Sequence, residues 1–147
     1  MKKLLHQKCL EIIESKLLVI QQNIDAAQQT ANEDTKSSAG DKYETTRAMM
    51  QIEIENNTKR LMEVRELKKI LTQIIFQNNY QFVVVGSLVM TNQGKFFISI
   101  GLGQVFLEND KYFVVSINSP IGALLLGKKI NDTIIFHQKE YQILDIL

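Results

Sequence analysis

The sequence is short of cysteine, proline and tryptophan: one, one and none in 147 residues. A lone Cys9 cannot close an internal disulfide, so the core has to hold the fold and a reducing, cytoplasmic setting is expected. Without tryptophan, and with its aromatics mostly at strand-alternating positions, the chain offers little for a deep aromatic-lined pocket of the peptidyl-prolyl isomerase kind. No apolar run approaches the roughly 18 residues of a membrane span. The start, "MKKLLHQKCLEIIESK", breaks every apolar stretch with charge, which argues against a secretory signal. An excess of one charge is missing too: 17 basic residues face 16 acidic ones, so no global field favours duplex DNA or an anionic membrane.

What is present is a hydrophobic content of 45%, enough for a core. Leu10, Ile13, Leu17, Ile20, Ile24 and Ala27 alternate spacings of three and four, the seam of a coiled-coil helix. A second run goes through Tyr43, Met50, Ile54, Leu61, Val64, Leu71 and Ile75, with Asn57 in the seam, and neither run is broken by glycine or proline. Helices of about 30 residues rise about 45 Å. Joined by a short polar turn, they form an antiparallel hairpin.

After "FQNN" the pattern changes. "QFVVVGSLVM", "KFFISIG", "KYFVVSI", "DTIIFHQ" and "EYQILDI" read as strands, and "TNQG", "LEND" and "HQKE" as turns. "SPIGALLLGKK" reads as a short helix with Ser119 as N-cap and Pro120 at its first position. The expected architecture is α+β: an antiparallel two-helix coiled-coil hairpin over 1–78, with a polar acidic tip near 32–44, then a small antiparallel β-sheet domain with one short helix over 79–147.

Few residues offer chemistry. His6 and Cys9 fit the seam and read as packing, with no further ligands to complete a metal site. "GLGQVF" runs into a hairpin pattern, whereas a dinucleotide loop has to open a helix. Met49, Met50 and Met62 read as packing or flank residues. Leu4, Leu5, Ile12, Leu18 and Val19 lie off the seam and could dock on the sheet or on a partner. Arg47, Lys59 and Arg60 on the second helix could follow a nucleic-acid backbone, yet Glu53, Glu55 and Glu63 interleave with them as on a solvated face.

The tip carries Glu33, Asp34, Asp41 and Glu44. Asp41 and Glu44 suit the positive end of the second helix as caps and first-turn acids. Such carboxylates also recruit a hard divalent cation, and Mg²⁺ activates water for phosphoryl chemistry. Both readings stay open on the residues alone.

"SINSPIGALLLGKKINDTIIF…EYQILDI" resembles the C-terminal domain of the Gre family of bacterial transcript-cleavage elongation factors. The matches are Asn118, Ser119, Pro120, Ile121, Leu126, Gly127, Lys128 and Asp132, with Asn131 where the family usually has glycine. The resemblance implies an FKBP-like C-terminal domain that docks on RNA polymerase through Asn118, Ser119, Pro120 and Ile121. It implies a hairpin passing down the polymerase secondary channel towards the nascent RNA 3′ end. Tip acids Asp41 and Glu44, with Glu33 and Asp34 as alternates, would then reach the polymerase's own Mg²⁺. Such a chain is an accessory factor with no metal of its own, is not itself a nuclease, and meets DNA only through the polymerase complex. Gre factors usually read Gly-Asp-Leu-x-Glu-Asn-Ala-Glu-Tyr at the tip. Gly40-Asp41-Lys42-Tyr43-Glu44 keeps the first spacing and lacks the following four residues. Channel-occupying relatives that do not stimulate cleavage, such as regulators of nucleoside diphosphate kinase, are the alternative.

Overall fold

The computed structural model of the chain describes residues 1–34 and 40–147, with side chains described except at 34 and 40–43. Helix α1 spans Lys2–Asp34 and helix α2 spans Gly40–Thr72, each 33 residues and so about 50 Å long. Among the described residues, six strands and a short helix follow: β1 Leu88–Thr91, β2 Gly94–Ser99, β3 Gly103–Leu107, β4 Asp110–Ser116, α3 Pro120–Leu125, β5 Thr133–Phe136 and β6 Lys139–Ile146. This is the α+β class that the two periodicities predict. The chain packs as two compact units, Glu11–Lys68 and Met1–Leu10 with Lys69–Leu147.

In the first unit the helices run antiparallel, with Glu14 of α1 3.5 Å from Lys68 of α2. Ile13, Ile20, Ala27 and Ala31 are buried on α1, and Asn57 and Leu61 on α2, while Leu17, Ile24, Ile54 and Val64 are half-buried between them. Burying one isoleucine is worth about 2 kcal/mol. The stripe therefore holds the pair together, where an isolated helix would be marginal. Asn57, in the seam as expected, donates from Nδ2 to the Glu53 carbonyl 3.0 Å away within its own helix.

The second unit is a sheet with strand order β3-β4-β2-β1-β6-β5. Its neighbours are antiparallel except β2 and β4, which pair in parallel with Phe96 opposite Phe113 and Ser99 opposite Ser116. That parallel pair departs from the purely antiparallel sheet expected. Strand β2 is buried from Phe96 to Ser99, so both its faces are covered. On one face Val89, Phe96, Ile98, Ile143 and Ile146 cluster with Ile121 and Leu125 of α3. Leu88, Phe97 and Val114 are in register with one another and share the opposite face, also buried.

Four local expectations are corrected. Leu5, read as off the seam, is fully buried, and Leu10 is only half-buried because Cys9 takes the inner position. Ile75, read as seam, is 83% exposed because α2 has already ended at Thr72. "QFVVVG" is not strand. Val83 is buried and its backbone bonds Lys128 and Gly127, while Gly86, at φ 97°, turns the chain into β1. A Cβ on Gly86 would stand 2.8 Å from Cγ2 of Ile74.

Candidate functional site

Two places hold the residues singled out by sequence, one in each compact unit. The first is where α1 ends and α2 begins. Glu33 is exposed in the last turn of α1, and its Oε1 accepts from Gln29 Nε2 at 3.2 Å. One residue back, Gln28 donates to Asn32 at 3.2 Å. Both bonds tie polar side chains along the helix at i, i+4 spacing. Glu44 is exposed in the first turns of α2. The side chains of Asp34 and Asp41 lie outside the described residues, so their positions within α1 and α2 are all that is stated of them. Arg47, Lys59 and Arg60 are exposed further along α2.

The second place is the turn from β4 into α3. The carbonyl of Ser116 accepts from the Ser119 backbone N–H at 3.1 Å and from the Ser119 hydroxyl at 2.6 Å. Ser119 Oγ in turn accepts from the Gly122 N–H at 3.2 Å, which satisfies one of the orphan donors of the helix start. Ser116 Oγ accepts from the Asn118 N–H at 3.1 Å. Pro120 stands at the first helical position, where a missing N–H costs nothing. The loop is thus closed by four bonds, with Asn118 and Pro120 exposed and Ile121 turned into the core. A side chain at Gly122 has no room, since its Cβ would lie 1.9 Å from the Ser116 oxygen.

Past α3, Gly127 adopts φ 78° and Asn131 φ 73°. Asparagine is the usual non-glycine residue in that left-handed region, so Asn131 holds it at modest cost. Asp132 Oδ2 accepts from the Lys129 N–H at 2.9 Å and closes the turn before β5.

Sequence reading named Asn118 to Ile121 but passed over Ser116 and Gly122, which shape the loop. The signal was the Ser-x-x-Ser spacing, since serine hydroxyls commonly bond backbone groups a few residues away. Residues 103–106 of "GLGQVF" lie in β3, which pairs antiparallel with β4, as the hairpin reading expected. His6 is half-buried, with its ring edge-on to Phe76 at 5.1 Å, and Cys9 is fully buried. Burial pushes the Cys9 thiol up to about 12, far from a reactive thiolate. Among the described residues, no group of three or more His, Cys, Asp or Glu side chains is placed to hold a metal ion. Comparison with protein-family models found no match, and comparison with curated proteins found none.

Proposed function

We propose that this chain is an RNA polymerase-binding regulator of transcription elongation of the Gre type. Its paired helices enter the polymerase secondary channel and its β4–α3 loop docks at the rim. The observation that carries the reading is the placement of carboxylates at paired helix ends. Glu33 and Glu44 are exposed on either side of residues 35–39, with Asp34 and Asp41 in the adjoining turns of α1 and α2. Two antiparallel helices of about 50 Å are long enough to carry such groups deep into a channel. There the acids would complete the coordination of the polymerase's Mg²⁺, which activates the water that cuts backtracked RNA. The bonded Ser116–Gly122 loop supports the docking half of the proposal, because it holds Asn118 and Pro120 outward without further ordering cost.

The test is RNA cleavage in a backtracked elongation complex of the cognate polymerase with Mg²⁺. Wild type is compared with Asp41→Asn plus Glu44→Gln, and binding of both proteins is measured separately. Cleavage by wild type, with a double variant that binds but does not cleave, is the expected result. Absence of binding overturns the proposal.

A second reading is a channel occupant that does not stimulate cleavage. It is favoured by Thr45, Thr46 and Arg47, which follow Glu44 where Gre factors carry Asn-Ala-Glu-Tyr. On this reading wild type binds without shortening the RNA, and the double variant behaves like wild type.

A further inference from the structure

The helix pair has two long sides, and they differ in how their polar groups are used. On one side, the stripe one position after the buried seam carries Glu14, Gln21, Asp25, Gln51 and Glu55. Most of these are already partnered, Glu14 with Lys68, Gln21 with Asp25 and Gln51 with Glu55, although the same stripe also carries Arg65, without an ion-pair partner among the described residues, and the exposed Leu18 and Met62.

The stripe one position before the seam is different. On α1 it runs Ile12, Lys16, Val19, Asn23, Ala26, and on α2 Met49, Glu53, Asn56, Arg60, Glu63, both at alternating spacings of three and four, so each set shares a helix face. A groove lined by Ser15, Lys16, Val19, Ile20, Asn23 and Arg60 shows that the two stripes border one another. The side chains of Lys16, Glu53 and Arg60 have no ion-pair or hydrogen-bond partner among the described residues, although all three are exposed. Val19 is 53% and Met49 60% exposed on the same side. The groove, about 260 Å³, is smaller than the 300–1,000 Å³ usual for small-molecule sites and suits a side chain from another surface.

Charge spacing identifies that surface. Arg60 and Glu53 are seven residues apart, two turns along one face of α2, with Asn56 between them. An antiparallel second copy, related by a twofold axis beside Asn56, brings each Arg60 opposite the Glu53 of the other copy. A twofold interface needs a self-complementary patch, and a stripe with unlike charges placed symmetrically about a neutral centre is one.

We infer that this side of the helix pair is a homodimer interface, held by reciprocal Arg60–Glu53 pairs between two antiparallel copies. The inference stands apart from polymerase binding and is tested without polymerase. Exposed ion pairs contribute little each, so the dimer is weak and salt-sensitive.

Sedimentation equilibrium of the full chain across a wide concentration range, at low and high salt, reads the association. Wild type is expected to dimerise, and Arg60→Glu or Glu53→Arg alone to weaken association by about tenfold or more by opposing like charges. The combined charge swap is expected to restore association. All three variants change exposed positions, and circular dichroism verifies that helicity is kept. A wild type monomeric at every concentration overturns the inference. So does a dimer indifferent to the single swaps, or a combined swap that fails to restore it.

Discussion

His6 donates from Nε2 to the carbonyl oxygen of Leu71 across 2.7 Å. A carbonyl has no proton to offer, so the ring nitrogen is the donor and the tautomer is fixed. Leu71 is in the last turn of α2, and its carbonyl also accepts from the Ile74 N–H at 3.3 Å. The bond therefore caps α2 from the second turn of α1. His6→Ala is expected to cost about 1–2 kcal/mol, combining the lost bond with the lost edge contact to Phe76, as read from urea denaturation.

Two glycines give opposite expectations. Gly122→Ala drives a Cβ to 1.9 Å from the Ser116 oxygen, so the loop has to open at a cost of about 3 kcal/mol. Gly101→Ala meets nothing within 4 Å and should stay within about 0.5 kcal/mol of wild type. Thermal unfolding of both variants side by side checks the pair.

Ser99 is buried at the end of β2, and its hydroxyl has no hydrogen-bond partner among the described residues. An unpaired buried polar group is a standing cost, so Ser99→Ala is expected to stabilise the protein by about 1–2 kcal/mol. A denaturation midpoint lower than that of wild type would refute this.

Cys9 gives a pH signature. Burial raises its pKa from 9.0 to about 12. Below pH 9 the thiol is neutral folded and unfolded, and contributes no pH dependence. Between about 9 and 12 only the unfolded chain ionises, so stability falls as pH rises through that window. The stability advantage of wild type over Cys9→Ala should shrink across it, and native Cys9 should resist iodoacetamide until the chain unfolds.

Much of this fold is legible before any coordinates. Ile13, Ile20, Ala27, Leu61 and Leu71 are buried where their spacing puts them, because a heptad fixes which side of a long helix meets its partner. Ser119 and Pro120 mark the start of α3 because capping is local chemistry. What was hidden depends on other parts of the chain. Nothing local distinguishes Ile75 from Ile74, and only the end of α2 exposes the first and half-buries the second. "QFVVV" has every strand propensity, yet Val83 bonds to residues more than forty positions away and forms no strand. Alternation also carries no strand direction. The parallel β2–β4 pair was visible only as "FFISI", a run without polar alternation, which is how a strand covered on both faces reads. At the candidate site, residue types were readable in Asn118 to Ile121, whereas the outward turn of Asn118 and the inward turn of Ile121 depend on bonds to Ser116.

The pairing of β1 with β6 has a consequence during synthesis. Asn92, just past β1, bonds Gln142 of β6 across 50 positions. A ribosome adding about 5–20 residues per second needs on the order of 3–10 s to supply that stretch. Through that interval the nascent β1, with its buried Leu88 and Val89, presents a bare edge that any stray strand can join. Slow codons between the two strands would lengthen the exposure. Synonymous recoding of residues 92–138 should therefore change the soluble yield of a chain whose amino-acid sequence is untouched.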